Sequence, residues 1–187
     1  MAKISTRSGS KVAKQKLELR KNLWPEVKID ELWDRQQSDG WLSIPRAMPL
    51  IHQIMDSLSK GKPVSSTYHE LWCRTFDDSF VVANKHREMA FFSGFNGERA
   101  VRTWSSRMKI LHELKFVDIK EGPSGDISYV LVRNPYKVIK AHYLNGHVGE
   151  RFYNALIQRT SEIGADDLKE IKVDKPPLKR RKSRAKA

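Results

Sequence analysis

The stretch that most constrains this chain runs from Glu88 to Val117, EMAFFSGFNGERAVRTWSSRMKILHELKFV, and reads as two helices meeting at a tight corner. Ser93-Gly94 ends the first, because glycine takes the left-handed C-cap conformation, and Asn96 is placed to cap the second. In the second helix Ala100, Val101, Trp104, Met108 and Leu111 gather on one face at about 100° per residue, and that face is core. Arg99, Arg102, Ser106 and Lys109 fall on the opposite side, a stripe of three cations and one hydroxyl.

The flanking segments give this corner its setting. Phe116 to Glu121 and Ile127 to Val132 alternate as strands, and the turn formers from Glu121 to Asp126 make them a hairpin with a mobile tip. Upstream, Phe80-Val81-Val82 is short and β-branched and reads as a small strand, and Asn84 can cap a helix from Lys85 to Ser93. Thr67-Tyr68-His69-Glu70 has capping-box spacing and predicts a helix through Phe76, with Tyr68, Leu71, Trp72 and Phe76 turned to the core. Leu50, Ile51, Ile54, Met55 and Leu58 mark an amphipathic helix between Ser43 and Lys60. Proline is cheap only in a first turn, so its regular part begins near Pro49. Trp24-Pro25 starts the folded region, followed by a short helix from Ile29 to Gln37. After the hairpin, Asn134-Pro135-Tyr136 leaves the sheet. Tyr136, Val138, Ile139 and Tyr143 then precede a break at Asn145-Gly146, and Val148, Phe152, Leu156 and Ile163 mark a last helix. Its apolar stripe must pack back on the domain or meet a second subunit, and a homodimer is the expectation carried forward.

A helical corner, a long second helix and then a hairpin resembles the winged helix-turn-helix family of bacterial, plasmid or phage type, over about Ile44 to Val132. The residues that carry the resemblance are Met89-Ala90 at the helix crossing, Gly94-Phe95 at the turn, Trp104 in the core and Leu114-Lys115-Phe116-Val117 entering the wing. Lys115 stands where the family often has glycine. The resemblance implies a mainly α fold with a small β-hairpin wing, with which the Phe80-Val81-Val82 strand pairs, flanked by helices and disordered basic tails. The corresponding divisions are an arm over 1–22, a winged-helix domain with an extension helix over 23–133, a helical segment over 134–165 and a tail over 166–187.

Charge narrows the choice of partner. The net charge is +13, yet residues 1–22 hold seven basic side chains to one acidic and residues 172–187 hold eight to one, so the 20 basic and 20 acidic residues between them cancel. What attraction the folded part has for phosphate must come from placement, and residues 85–115 hold seven basic side chains to three acidic whereas 25–40 hold two to five. The basic arm supplies sequence-independent phosphate attraction that weakens with salt. No apolar run approaches the roughly 20 residues that span a bilayer, and no apolar core follows the first basic residues, so neither a membrane span nor a secretory signal is expected. Cys73 is the single cysteine, which fits a reducing, cytoplasmic compartment and reads as a small core residue.

Catalytic patterns are lacking: there is no glycine-rich phosphate loop, GxSxG, HExxH or cysteine pair, so no enzyme, metal site or cofactor is expected. The six histidines are dispersed, and His142 and His147, five apart across Asn145-Gly146, have poor ligand spacing. Phe91, Phe92 and Phe95 could form a stacking platform for single strands, but read as core of the corner.

The resulting expectation is a double-stranded DNA-binding protein acting as a transcriptional regulator. Arg99, Arg102, Thr103, Ser106 and Lys109 would meet the major groove, Arg107 a flanking phosphate, Asn84, Lys85 and Arg87 the backbone, and Ser124 and Gly125 the minor groove. Two alternatives stand beside it. One is a plasmid or phage replication or maintenance protein, which Asn134-Pro135-Tyr136 weakly resembles. The other is a protein-interaction module whose basic tails bind nucleic acid, supported by the neutral folded part.

Overall fold

A computed structural model describes residues 6–34, 38–75 and 78–168, with the side chains of 6–10 and 29 excepted. The chain divides into two compact units, Met1–Trp41 and Leu42–Ala187.

The first unit is built on helix α1, Thr6–Leu23. The sequence reading expects a mobile arm there. Its alanine, lysine, glutamine, leucine and arginine are helix formers that need no partner to favour the helical backbone, and the described side chains stay at the surface, with Arg20 half-buried. Beyond it, among the described residues of this unit, a single 3-10 turn forms at Ile29–Glu31. That replaces the helix expected from Ile29 to Gln37, whose last residues lie outside those described. So short a segment makes too few helical hydrogen bonds to offset the cost of nucleating a regular helix.

In the second unit α2, Met48–Leu58, starts with Pro49 in its first turn and buries Met48, Ile51, Ile54 and Met55 as one stripe. Helix α3, Ser65–Arg74, begins two residues before the expected capping box. Asp56 of α2 does the capping instead, its carboxylate accepting from the Val64 and Ser65 amides at 2.7 and 2.9 Å and from Ser65 Oγ at 2.6 Å. Thr67 is therefore inside the helix and buried rather than at its start. Cys73 is exposed, not core, because it lies about 140° around the helix from Tyr68. Phe76, expected to end this helix, is outside the described residues.

Strand β1, Phe80–Val82, leads into α4, His86–Phe92, and then α5, Ala100–Glu113. The hairpin strands are β2, Val117–Gly122, and β3, Gly125–Val132. Both pairings are antiparallel in the order β1-β3-β2, with Val81 opposite Val130 and Ile119 opposite Val130 from the other side. The short first strand thus pairs with the hairpin, as the winged-helix resemblance implies. Gly122 is pinched at the hairpin end: a Cβ there would come within 2.6 Å of Tyr129 Cε2 and 2.9 Å of Ser128 Cβ. The chain reverses through Pro123-Ser124 and Gly125, whose φ of +98° only glycine takes easily.

Helix α6, Pro135–Leu144, opens with Pro135 in its first turn and the Asn134 side chain accepting from the amides of Tyr136 and Lys137. Helix α7, Glu150–Ile163, closes at Gly164 in the left-handed conformation. Tyr136, Ile139, Val148, Tyr153 and Leu156 all enter the same core as α2, Trp104 and Phe116, and α6 and α7 both pack against α2. The apolar stripe that suggested a homodimer is thus satisfied within the chain, which removes the ground for that expectation. From residue 169 onward the basic tail lies outside the described residues. No helix among those described is long and apolar enough to cross a membrane.

Candidate nucleic-acid interface

Helix α5 is fixed by what it buries. Ala100, Trp104, Met108 and Leu111 are in the core, and at about 100° per residue their common direction leaves Arg99, Arg102 and Lys109 exposed and Ser106 at the margin. None of Arg99, Arg102, Arg107 or Lys109 has an ion-pair partner among the described residues. Unpaired cations on a rigid face keep their full attraction for an external anion.

The corner itself differs in detail from the sequence reading. Gly94 and Gly97 both take positive φ, +87° and +81°, so the chain turns twice before α5 begins. Asn96 then sits four positions ahead of Ala100, beyond the reach of the second or third helical amide, and Arg99 occupies the N-cap position with no side-chain bond. Asn84 likewise falls one residue short of capping α4, whose N-cap is Lys85.

Three of the dispersed histidines turn out to hold this element in place. His86 Nε2 donates to the Ile127 carbonyl at 2.7 Å, and its ring leans on Trp104 with centroids 5.0 Å apart, so α4, α5 and β3 meet at one side chain. His112 Nδ1 donates to the Val117 carbonyl at 3.2 Å, and His142 Nε2 to the Leu114 carbonyl at 2.9 Å. The sequence carried no signal for these bonds, since each joins a ring to a backbone oxygen in another element.

Around α5 the expected residues divide. Arg87 lines a cleft of about 630 Å3 with Phe91, Phe95, Asn96, Gly97, Glu98, Ala100 and Val101, which brings the α4 cation to the start of α5. Lys85 is 3.4 Å from Glu88, which also accepts from Arg74 at 3.0 Å. That arginine holds the Glu88 carboxyl below the usual carboxylate range and leaves Lys85 the least free of the set. Asn84 is exposed and Thr103 half-buried. Arg107 is also half-buried, its Nε enclosed with no hydrogen-bond partner, so it flanks the outer stripe rather than joining it. At the hairpin end the Ser124 amide donates to Ser128 Oγ at 3.0 Å and Gly125 is exposed. The strands around that end carry Glu121 and Asp126 against Lys120, a poor match for a phosphate-lined groove.

Phe91 and Phe92 are not core. They stand 62% and 59% exposed, edge to face at 5.7 Å, with the Arg74 guanidinium 5.8 Å from the Phe92 ring centroid. The seven-residue α4 spends its inward directions on Met89 and Ala90, and the next two positions point 100° and 200° further round. Phe95 alone packs against the core.

Among the described residues no three His, Cys, Asp or Glu side chains gather to hold a metal ion. No protein-family model, curated protein or solved structure matches the chain.

Proposed function

We propose that this chain is a double-stranded DNA-binding protein of the winged-helix kind, acting as a transcriptional regulator, with α5 as its reading helix. The observation that carries the proposal is the outer face of α5, where Arg99, Arg102 and Lys109 are exposed and unpaired on a helix whose opposite face is locked in the core. Two facts support it. The order from α3 through β1, α4, α5, β2 and β3, with strands paired β1-β3-β2, is the order a winged helix would have. Arg87 shares a cleft with the start of α5, so a backbone contact and a groove contact would lie side by side. In this reading Arg102 bonds a base edge, Arg99, Lys109 and Arg87 hold phosphates, and the acidic hairpin end stays off the minor groove.

The test is binding of the full chain, and of the variant Arg102→Ala/Lys109→Ala, to DNA from upstream of its own coding region against a scrambled duplex at physiological salt. Selectivity in the parent that disappears in the variant, with residual salt-sensitive binding, supports the reading. Equal affinity for both duplexes in the parent would leave a basic-tailed interaction protein, a role that the exposed Phe91-Phe92 pair would fit. Selectivity only for iterated repeats would instead favour a replication or maintenance role.

A further inference from the structure

Helix α6 ends in a turn that the histidine spacing did not reveal. Gly146 takes a φ of +74°, its amide bonds the Tyr143 carbonyl at 2.9 Å, and the His147 amide bonds the His142 carbonyl at 2.9 Å. This paired closure is the Schellman arrangement, which folds the residue after the glycine back over the last helical turn. Rings five residues apart are therefore neighbours. His142 and His147 have centroids 5.6 Å apart, and their Nδ1 atoms are 3.3 Å apart.

The protonation pattern follows from the partners. A carbonyl oxygen only accepts, so the 2.9 Å bond to Leu114 makes Nε2 of His142 the protonated nitrogen. Its neutral ring then keeps a lone pair on Nδ1, aimed at His147. Behind it Phe116, fully buried, stacks on the His142 ring at 6.2 Å and 20°. The ring is thus held by a hydrogen bond on one nitrogen and by the core on one face, as histidine ligands are when a carbonyl fixes the nitrogen not bound to metal.

We propose that His142 and His147 form a two-imidazole chelate for a divalent transition-metal ion such as zinc, nickel or copper. Zinc–nitrogen bonds of about 2.0–2.1 Å at a tetrahedral angle put two ligand nitrogens about 3.4 Å apart, and the two Nδ1 atoms are already at that spacing. Calcium and magnesium are disfavoured because they take oxygen ligands. His147 is exposed, so water fills the remaining positions. Without metal, Nδ1–H of His147 donates to Nδ1 of His142; binding shifts that proton through solvent to the exposed Nε2 of His147, so that both neutral rings offer an Nδ1 lone pair to the ion. Bound metal would tie the start of the α6–α7 turn through His142 to Leu114, at the C-terminal end of α5. The inference does not depend on DNA binding.

Zinc titrated into the full chain at pH 7.5, followed by calorimetry and by nitrogen resonances of the imidazole rings, decides it. The expected result is one equivalent bound, shifts at Nδ1 of His142 and His147, and at least about tenfold weaker binding in His147→Ala. His69→Ala, which alters the other neighbouring histidine pair, should bind as the parent does. No uptake, uptake unchanged by His147→Ala, or shifts confined to other histidines would overturn the site and leave only the hydrogen bond between the rings. His147→Ala removes an exposed side chain, so its binding defect would not come from unfolding.

Discussion

Helices α1 and α5 are both basic, and they hold their charge in opposite ways. Over Thr6–Leu23 there are six basic side chains to one acidic, against three to one over Ala100–Glu113. Yet every described side chain of α1 from Lys11 on is at the surface, whereas α5 buries four residues including Trp104. Charge density alone would choose α1 as the nucleic-acid element. Position chooses α5, because a bidentate contact to a base edge needs a side chain whose starting point is fixed. Attraction to phosphate needs only charge. On the proposed reading the two helices would separate affinity from discrimination, and substitutions in each should have different consequences.

The largest effect should come from removing what fixes α5. Trp104 is fully buried and supports His86, which in turn holds the Ile127 carbonyl. Trp104→Ala should destabilise the chain by about 3–5 kcal/mol, read as a lowered urea midpoint. A loss below about 1 kcal/mol would mean that the surrounding side chains refill the site and that α5 is less firmly placed than its burial implies.

How much of this contrast was legible follows from which signals act at short range. The buried stripe of α5 was readable because it depends on a period within one element, whereas the pairing of Phe80-Val81-Val82 joins two elements and was legible only through the resemblance to a winged domain. The corner's caps escape a sequence reading because Asn84 and Asn96 are good capping residues set two and four positions ahead of where the helices start, and only the backbone path shows it. Asp56 capping α3 from α2 joins residues eight and nine apart, a partnership no local motif encodes. Cys73 reads as core on residue type, and Phe91 and Phe92 as core because Gly94 marks a turn between packed helices, although helical spacing already turns all three outward. Of the candidate site, the outer stripe was legible and the enclosed Arg107 Nε was not, since its burial depends on neighbours in other elements.

Specificity should then divide the two helices. If Arg102 bonds a base edge, Arg102→Ala should cost about 1–3 kcal/mol on the preferred duplex and relax the choice at one base position. Lys14→Ala should weaken binding to all duplexes alike and lower the salt slope by about 1. Competition binding at two salt concentrations measures both. Uniform weakening by Arg102→Ala would make that residue a phosphate contact, and the contrast between fixed and unfixed charge would lose its functional meaning.

Acid offers a milder way to act on the fixed region alone. His52 and His69 meet edge to face at 5.4 Å where α2 packs on α3. Burial, and then His69, lower the His52 pKa below its ordinary 6.5, with Asp56 acting in the other direction. The unfolded chain therefore takes up a proton more readily than the folded one. This group's contribution is complete above the unfolded value and is lost as the pH falls through 6.5 toward the lowered folded value. Urea unfolding at pH 7.5 and 5.5 should show lower stability in acid, and His52→Gln should flatten the difference. An unchanged profile in that variant would assign the acid sensitivity to other groups. Helix α1 contains no histidine and has no equivalent response.

The smallest effect is expected on α1, and it tests the other half of the contrast. Leu19 is exposed at 57%, alongside Val12, Leu17 and Leu23. Leu19→Ala removes no buried contact among the described residues, and alanine is at least as good a helix former as leucine. The global unfolding midpoint should therefore move by no more than about 0.5 kcal/mol, and helix content should hold or rise slightly. A loss above about 1 kcal/mol would require Leu19 to be covered in solution, since exposed leucine has no transfer free energy to lose. The stripe Val12, Leu19 and Leu23 would then be an anchored face, and α1 would belong with α5 among the helices whose charges are held in place.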